Sequence, residues 1–68
     1  MEVDYIDIYY DRSVRSWVGI AKTYDHFQVG DAEYVYSKED VLDWAFMEYP
    51  TAQVFIDVVN NGFTKPLN

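Results

Sequence analysis

One segment of this 68-residue chain has the pattern of a helix, and the segments around it have the pattern of strands. Ser37 is a good helix N-cap, and Asp40 three residues later completes an approximate capping box. Glu39 and Asp40 lie in the first turn, where the helix dipole favours anions. Pro50 ends the helix, because the residue before a proline is pushed towards extended geometry. One helix covers one face of a sheet, so the other face must meet water, a second subunit or a partner.

Four strands accompany this helix in the order β-β-β-α-β. We expect them at residues 3–10, 14–24, 32–37 and 52–59, with a tight turn at 11–13 and a loop at 25–31. Gly30 in that loop can take a positive φ. The Asn-Gly pair at 61–62 suits a two-residue turn, after which residues 63–64 either pair back or fray. The order predicts a single α+β domain over residues 1–68, with two layers: an antiparallel four-stranded sheet and one helix packed on one face.

Strand alternation divides the side chains between two faces. If Ile6 and Ile8 point at the helix, the predicted core comprises Ile6, Ile8, Val18, Ile20, Val54, Ile56 and Val58 against Val41, Leu42, Ala45 and Phe46. The same phase turns Arg15, Gly19, Ala21 and Thr23 outward. Aromatic and acidic residues predicted on that uncovered face are candidates for binding a partner: Tyr5, Asp7, Tyr9, Asp11, Trp17, Phe55 and Asp57. The alternative is ordinary strand filling by half-exposed rings, with Arg15 paired to Asp7 or Asp57.

A second candidate patch lies on the helix. Asp40, Asp43, Trp44 and Met47 fall on the side opposite the predicted core stripe. A tryptophan and a methionine among acids on a solvent face are unusual, so this patch is a second candidate for binding a partner. In the alternative reading Trp44 packs against a loop, near Phe27 or Phe63, since tryptophan is highly buried on average.

The charge of the chain restricts its partners. The net charge is −7, and between residues 23 and 64 Lys38 is the one basic residue among eight acids. A field of this sign repels DNA, RNA and anionic lipid. We therefore expect no direct binding of nucleic acid or membrane, and we expect a basic protein as the partner.

Motifs for catalysis or cofactor binding do not occur in the sequence. It has no cysteine, one histidine and three glycines that form no phosphate-binding loop. His26 follows Asp25 without a nucleophile context, so we expect no enzyme, no cofactor and no metal site. The N-terminus lacks the pattern of a signal peptide and no apolar run is long enough for a membrane helix. A cytoplasmic location is expected.

In size, acidity and aromatic content the chain resembles small phage anti-defence proteins, such as anti-CRISPR proteins and DNA mimics. The segments that carry this resemblance are AEYVYSKEDVLDWAFMEYP and VDYIDIYYD. The resemblance implies a phage or mobile-element origin and a host target that binds nucleic acid. It leads to the hypothesis of a small acidic inhibitor that occupies the basic surface of a host protein.

The alternative hypothesis is a non-catalytic interaction module that forms a homodimer through the uncovered sheet or the edge of the last strand. The strand order and the helix start SKEDVLDWA resemble the small β-β-β-α-β domain of HicB-type antitoxins. The proline- and glycine-rich strand ending of that family is missing here.

Overall fold

The computed structural model describes the backbone of residues 2–58 and 63–66 and the side chains of residues 2–56. Its elements, in chain order, are β1 (Tyr5–Asp11), β2 (Ser16–Lys22), β3 (Glu33–Val35), α1 (Lys38–Glu48), β4 (Gln53–Val58) and β5 (Phe63–Pro66). The strands form one sheet in the order β3-β2-β1-β4-β5. Helix α1 packs on one side of it, so the predicted two-layer α+β fold is confirmed.

The sheet is mixed, and the prediction of a purely antiparallel sheet is wrong. β2 pairs antiparallel with β1 and with β3, whereas β1 and β4 are parallel neighbours. The helix is the reason. β3 runs in the direction of β1, and α1 carries the chain back across the sheet before β4 begins. A helical crossover of this kind restores the strand direction, which a tight hairpin reverses.

The fourth strand does not lie at an edge of the described sheet. β5 pairs antiparallel with β4, from Val58 opposite Phe63 to Phe55 opposite Pro66. Of the two predictions for residues 63–64, pairing is therefore the one confirmed. The predicted Asn-Gly turn at 61–62 lies outside the described residues.

The helix begins and ends where the sequence predicted. The Ser37 hydroxyl accepts a hydrogen bond from the backbone N–H of Asp40 at 3.1 Å. At the other end, the Tyr49 N–H donates to the Ala45 carbonyl, and Pro50 follows. Local signals were sufficient here because both caps are made by residues next to the helix in sequence.

The phase of β2 is opposite to the prediction. Ile8 lies beside Gly19 and Ile6 beside Ala21, and residues that pair directly across strands share a face. Trp17, Gly19 and Ala21 therefore face the helix, while Val18 and Ile20 face the other side. A Cβ atom on Gly19 would lie 2.5 Å from Cζ3 of the Trp44 ring. Because Gly19 has no side chain, the Trp44 ring fits over it. If Val18 or Ile20 faced the helix at this point, its β-branched side chain would occupy the space that the ring fills.

The helix is also rotated relative to the predicted stripe. Val41 and Ala45 are buried, as expected, but Phe46 is 42% exposed, so its predicted place in the core is wrong. Trp44 instead packs against the core, and its ring contacts Tyr49 edge to face at 5.8 Å. The prediction of Trp44 on the side opposite the core is thus also wrong. The ring meets the sheet at Gly19. The side chain of Phe63, one of its two predicted loop neighbours, lies outside the described ones.

A small second apolar layer lies on the face away from the helix. Val18 is completely buried there, with Tyr9 and Tyr34 as its partners on the two adjacent strands. Ile20, which the sequence placed in the main core, is half-buried on the same face. Tyrosine side chains therefore shield β-branched residues of β2 from water, which accounts for part of the unusual aromatic content.

We expect Gly19→Ala to lower the free energy of unfolding by about 2 kcal/mol, because the added methyl group overpacks the contact with Trp44 and Val41. Urea denaturation measures this. Trp44→Leu removes the nearest ring atoms, so the double variant should be less destabilised than the sum of the two single variants. Strict additivity would show that Trp44 does not occupy the space over Gly19.

Candidate partner-binding site

The structure brings together four of the residues predicted on the uncovered face. Tyr5, Asp7 and Tyr9 alternate along β1 away from the helix, and Phe55 lies beside Asp7 on β4. The rings of Tyr5 and Phe55 meet edge to face, with centroids 5.8 Å apart. All four side chains are half-buried. They form the central part of what we call the open sheet face.

Trp17 does not belong to the open sheet face, and its prediction there is wrong. It packs on the helix side of β2, where its ring meets Tyr10 edge to face at 5.6 Å. The cause is the register of the hairpin, which sets Ser16 opposite Asp11 and Trp17 opposite Tyr10. Because side chains alternate along a strand, Trp17 then faces the helix. Asp57 is placed in β4 opposite Thr64, but its side chain lies outside the described ones.

Asp11 ends β1 and belongs to the hairpin turn. Its carboxylate accepts hydrogen bonds from the hydroxyl of Ser13 at 2.6 Å and from the backbone N–H of Ser13 at 2.9 Å. These bonds favour the charged form and lower the pKa of Asp11 from its ordinary value of 3.8. The turn also holds Arg15 at a φ of 53°, in the left-handed region. Asp11 therefore has a local structural role in addition to its position on the open face.

Asp7 pairs with Lys22, not with Arg15. The Lys22 Nζ lies 3.2 Å from a carboxylate oxygen of Asp7 and 6.0 Å from the centre of the Tyr5 ring. Arg15 is exposed in the turn. The open sheet face thus already holds one basic side chain between a carboxylate and an aromatic ring.

Two clefts lie where the loop after β2 folds back along the start of β1. The first, which we call the Phe27 cleft, has a volume of about 500 Å³ and is lined by Glu2, Asp4, Thr23, Tyr24, Asp25 and Phe27. The second, the Phe55 cleft, has about 480 Å³ and is lined by Asp4, Tyr5, Asp7, Tyr24, His26 and Phe55. Asp4 and Tyr24 line both, so the clefts are adjacent.

Backbone hydrogen bonds fix the loop that forms the two clefts. The Thr23 N–H donates to the Phe27 carbonyl at 3.0 Å, and the His26 N–H donates to the Thr23 carbonyl at 2.9 Å. His26 has a φ of 72°, a left-handed conformation that costs a non-glycine residue about 1 kcal/mol or more. Gly30 has the predicted positive φ, at 71°. This tight fold projects Tyr24 and Phe27 outward.

Side-chain bonds attach the same loop to β1. A carboxylate oxygen of Asp4 accepts the Tyr24 N–H at 2.8 Å. The Tyr5 hydroxyl and Nδ1 of His26 lie 2.6 Å apart, and the tautomer of the imidazole decides which of the two donates. Their rings also meet edge to face at 5.8 Å. The cleft walls are therefore held by contacts within the chain.

Several residues of this site were not predicted from the sequence: Asp4, Tyr24, His26 as a structural group, and Phe27. Period-two alternation does not apply to a loop, and the return of the loop onto β1 is a tertiary contact. Two features of the sequence were available as signals. One is the Asp-His-Phe run at residues 25–27, and the other is the pair of acids Glu2 and Asp4 near the N-terminus.

The predicted helix patch does not lie next to the clefts. None of its residues lines either cleft, and the Phe55 cleft lies on the open sheet face, away from the helix. Asp40 and Asp43 are exposed, and Met47 is 83% exposed, as the sequence predicted. Trp44 is half-buried against Gly19, so it leaves the patch without its expected aromatic anchor.

Within residues 2–58 and 63–66, no cluster of three or more histidine or acidic side chains is arranged to hold a metal ion. The same part of the chain contains no helix with the length and apolar character needed to cross a membrane. Comparison with protein-family models, with curated proteins and with solved structures gave no match.

We expect Tyr5→Ala to lower the free energy of unfolding by about 2 kcal/mol, because it removes ring contacts with both His26 and Phe55. Tyr5→Phe is the matched control. It keeps the ring and loses the hydroxyl, so it should cost less than about 1 kcal/mol. Thermal or urea unfolding distinguishes the two. Equal losses in both variants would mean that the hydroxyl, not the ring, holds the loop.

The lowered pKa of Asp11 predicts how the hairpin responds to acid. Its stabilising contribution is present above pH 3.8 and is lost as the pH falls through the lower value in the folded protein. In Ser13→Ala the pKa of Asp11 should rise towards 3.8, because the hydroxyl bond is removed while the backbone bond remains. NMR titration of the Asp11 carboxyl measures this. An unchanged pKa in the variant would show that the hydroxyl is not the main cause.

Proposed function

We propose that the protein is a non-catalytic, acidic interaction module that acts in the cytoplasm. Its partner is the basic, nucleic-acid-binding surface of another protein. The observation that carries this proposal is the exposure of aromatic rings beside carboxylates at the clefts: Tyr24 and Phe27 are 75% and 69% exposed, next to Asp4 and Asp25. Exposed rings supply contact energy, and carboxylates supply attraction for a basic surface.

The distribution of charge supports the same partner. Acidic side chains are exposed in several separate parts of the chain: in the Phe27 cleft, before β3 and along the helix at Glu39, Asp40, Asp43 and Glu48. A surface negative over this extent attracts a broad basic surface and raises the rate of association. It imitates the spaced charges of a phosphate backbone, so the bound surface would be closed to nucleic acid.

The resemblance to small acidic phage proteins suggests the biological role. An inhibitor of the anti-CRISPR or DNA-mimic type works by occupying the nucleic-acid site of a host protein. A rigid small domain with a net charge of −7 suits that task, because little ordering is needed on binding.

The alternative proposal is a homodimer through the open sheet face. Tyr34 favours it, because this residue is 60% exposed on the edge strand β3 and lies on the same face as Tyr9 and Val18. A second copy covering these rings would bury apolar surface. Such a dimer would persist at high salt, since apolar burial is not screened by ions.

Salt and nucleic acid distinguish the two proposals. The immobilised protein should capture nucleic-acid-binding proteins from a host lysate at about 0.05 M salt and release them at about 1 M, where charge interactions extend only about 3 Å. Added duplex DNA should prevent the capture, and mass spectrometry identifies the proteins. Capture that resists both treatments contradicts the proposal. A dimeric mass at about 1 M salt, measured by light scattering, supports the alternative.

A further inference from the structure

We propose that the Phe27 cleft and the Phe55 cleft form one docking groove for an arginine-bearing segment of the partner, with an arginine side chain in the Phe27 cleft. This inference rests on the proposed function, since it specifies which chemical group of the basic partner is bound and where. The two clefts share Asp4 and Tyr24, so a single extended segment can place neighbouring side chains on both sides of the Tyr24 ring.

Charge complementarity identifies a cation as the occupant. Among its described lining residues the Phe27 cleft has three carboxylates, Glu2, Asp4 and Asp25, and no basic group. In the Phe55 cleft Asp7 is paired with Lys22, which leaves Asp4 as the carboxylate nearest to Tyr24. The Asp4 carboxylate receives one hydrogen bond from the Tyr24 N–H, and a carboxylate can accept about four. It therefore retains the capacity to accept a guanidinium.

The chain itself contains a precedent for this arrangement. Lys22 sits with its ammonium beside the Asp7 carboxylate and over the Tyr5 ring. Asp4, which precedes β1, and Tyr24, which follows β2, bring a second carboxylate and ring together through the Tyr24 N–H, and Tyr24 is 75% exposed. The groove thus offers to a partner the surroundings that the protein already gives to its own lysine.

The residue types that line the Phe27 cleft favour arginine over lysine. Guanidinium is planar, stacks on aromatic faces and donates two parallel hydrogen bonds to one carboxylate, whereas ammonium acts as a strongly hydrated point charge. The Phe27 cleft combines carboxylates with the rings of Tyr24 and Phe27. The adjacent Phe55 cleft is lined by the rings of Tyr5, Tyr24, His26 and Phe55. An arginine side chain can use both kinds of contact together.

The walls of the groove are in place before binding. Asp4 and His26 attach the loop to β1, through the Tyr24 N–H and the Tyr5 hydroxyl respectively. Because the loop is held within the chain, binding requires little further ordering of the backbone.

The test is an NMR titration of the full chain with a short capped peptide in which arginine alternates with glycine. Matched peptides carry lysine, or the neutral arginine isostere citrulline. We expect the amide signals of Asp4, Tyr24, Phe27 and Phe55 to shift most, with tightest binding of the arginine peptide and no measurable binding of the citrulline peptide. Equal affinity for arginine and lysine, or for arginine and citrulline, would overturn the proposal.

Two variants test the groove directly. Asp4→Asn removes the charge but keeps an oxygen that accepts the Tyr24 N–H, and Tyr24→Ala removes an exposed ring. Each should weaken binding of the arginine peptide about tenfold, which corresponds to about 1.4 kcal/mol. Amide spectra with the dispersion of the unmodified protein show that the variants are folded. If Tyr24→Ala fails this criterion, Phe27→Ala replaces it.

Glu33→Gln and Tyr36→Ala are matched controls, because neither residue lines a cleft. They should bind the arginine peptide within about twofold of the unmodified protein. An equal loss in Glu33→Gln would show attraction by the overall charge alone and would overturn the groove. Self-association that Tyr24→Ala abolishes would identify a second copy of this chain as the occupant, which also contradicts the proposal.

The same variants separate this inference from the proposed function. If Asp4→Asn and Tyr24→Ala still capture salt-sensitive basic proteins, the groove is wrong and the function stands. If the peptide binds in the groove but no nucleic-acid-binding protein is captured, the groove stands and the proposed function is wrong.

Discussion

The contact between the Trp44 ring and Gly19 sets the arrangement of the rest of the molecule. The ring occupies the space that any side chain at residue 19 would fill, which lets the helix approach β2 closely. Once Gly19 faces the helix, alternation places Trp17 and Ala21 on the same side. Val18, Ile20 and Lys22 must then face the opposite way. The register of the β1–β2 hairpin and this close approach agree on which side chains β2 turns to each face of the sheet.

The candidate site depends on which side chains of β2 face away from the helix. With Lys22 on the open sheet face, its ammonium reaches Asp7 and the Tyr5 ring. Tyr5 in turn meets Phe55 and His26, and so connects the sheet to the loop that follows β2. The clefts are therefore built from the end of the sheet and a returning loop. One set of aromatic residues, Tyr9 and Tyr34, lies beside Val18 of β2. Another, Tyr24 and Phe27, lies beside the carboxylates of the Phe27 cleft.

Local patterns predicted the helix ends, the α+β class and the alternation of β1, because each depends on neighbours in sequence. Ser37 and Pro50 are examples: one caps the helix and the other ends it, without reference to the sheet. The predictions that were wrong concern relations between elements. Phe46 and Trp44 exchanged roles because a stripe of apolar residues does not show which part of it meets a gap in the facing sheet. The parallel pairing of β1 with β4 depends on the path of the crossover.

Residue type and short-range spacing were sufficient to predict the number and kind of elements before residue 60 and the acidic field, and they exclude cysteine chemistry. The packing of the elements was needed to show which face of β2 is open, and that Asp4, Tyr24 and the loop around His26 meet at two adjacent clefts. The reason is physical: alternation in a strand fixes which residues share a face but not which face is covered. That is settled by close packing against another element, here by one ring in the space over one glycine.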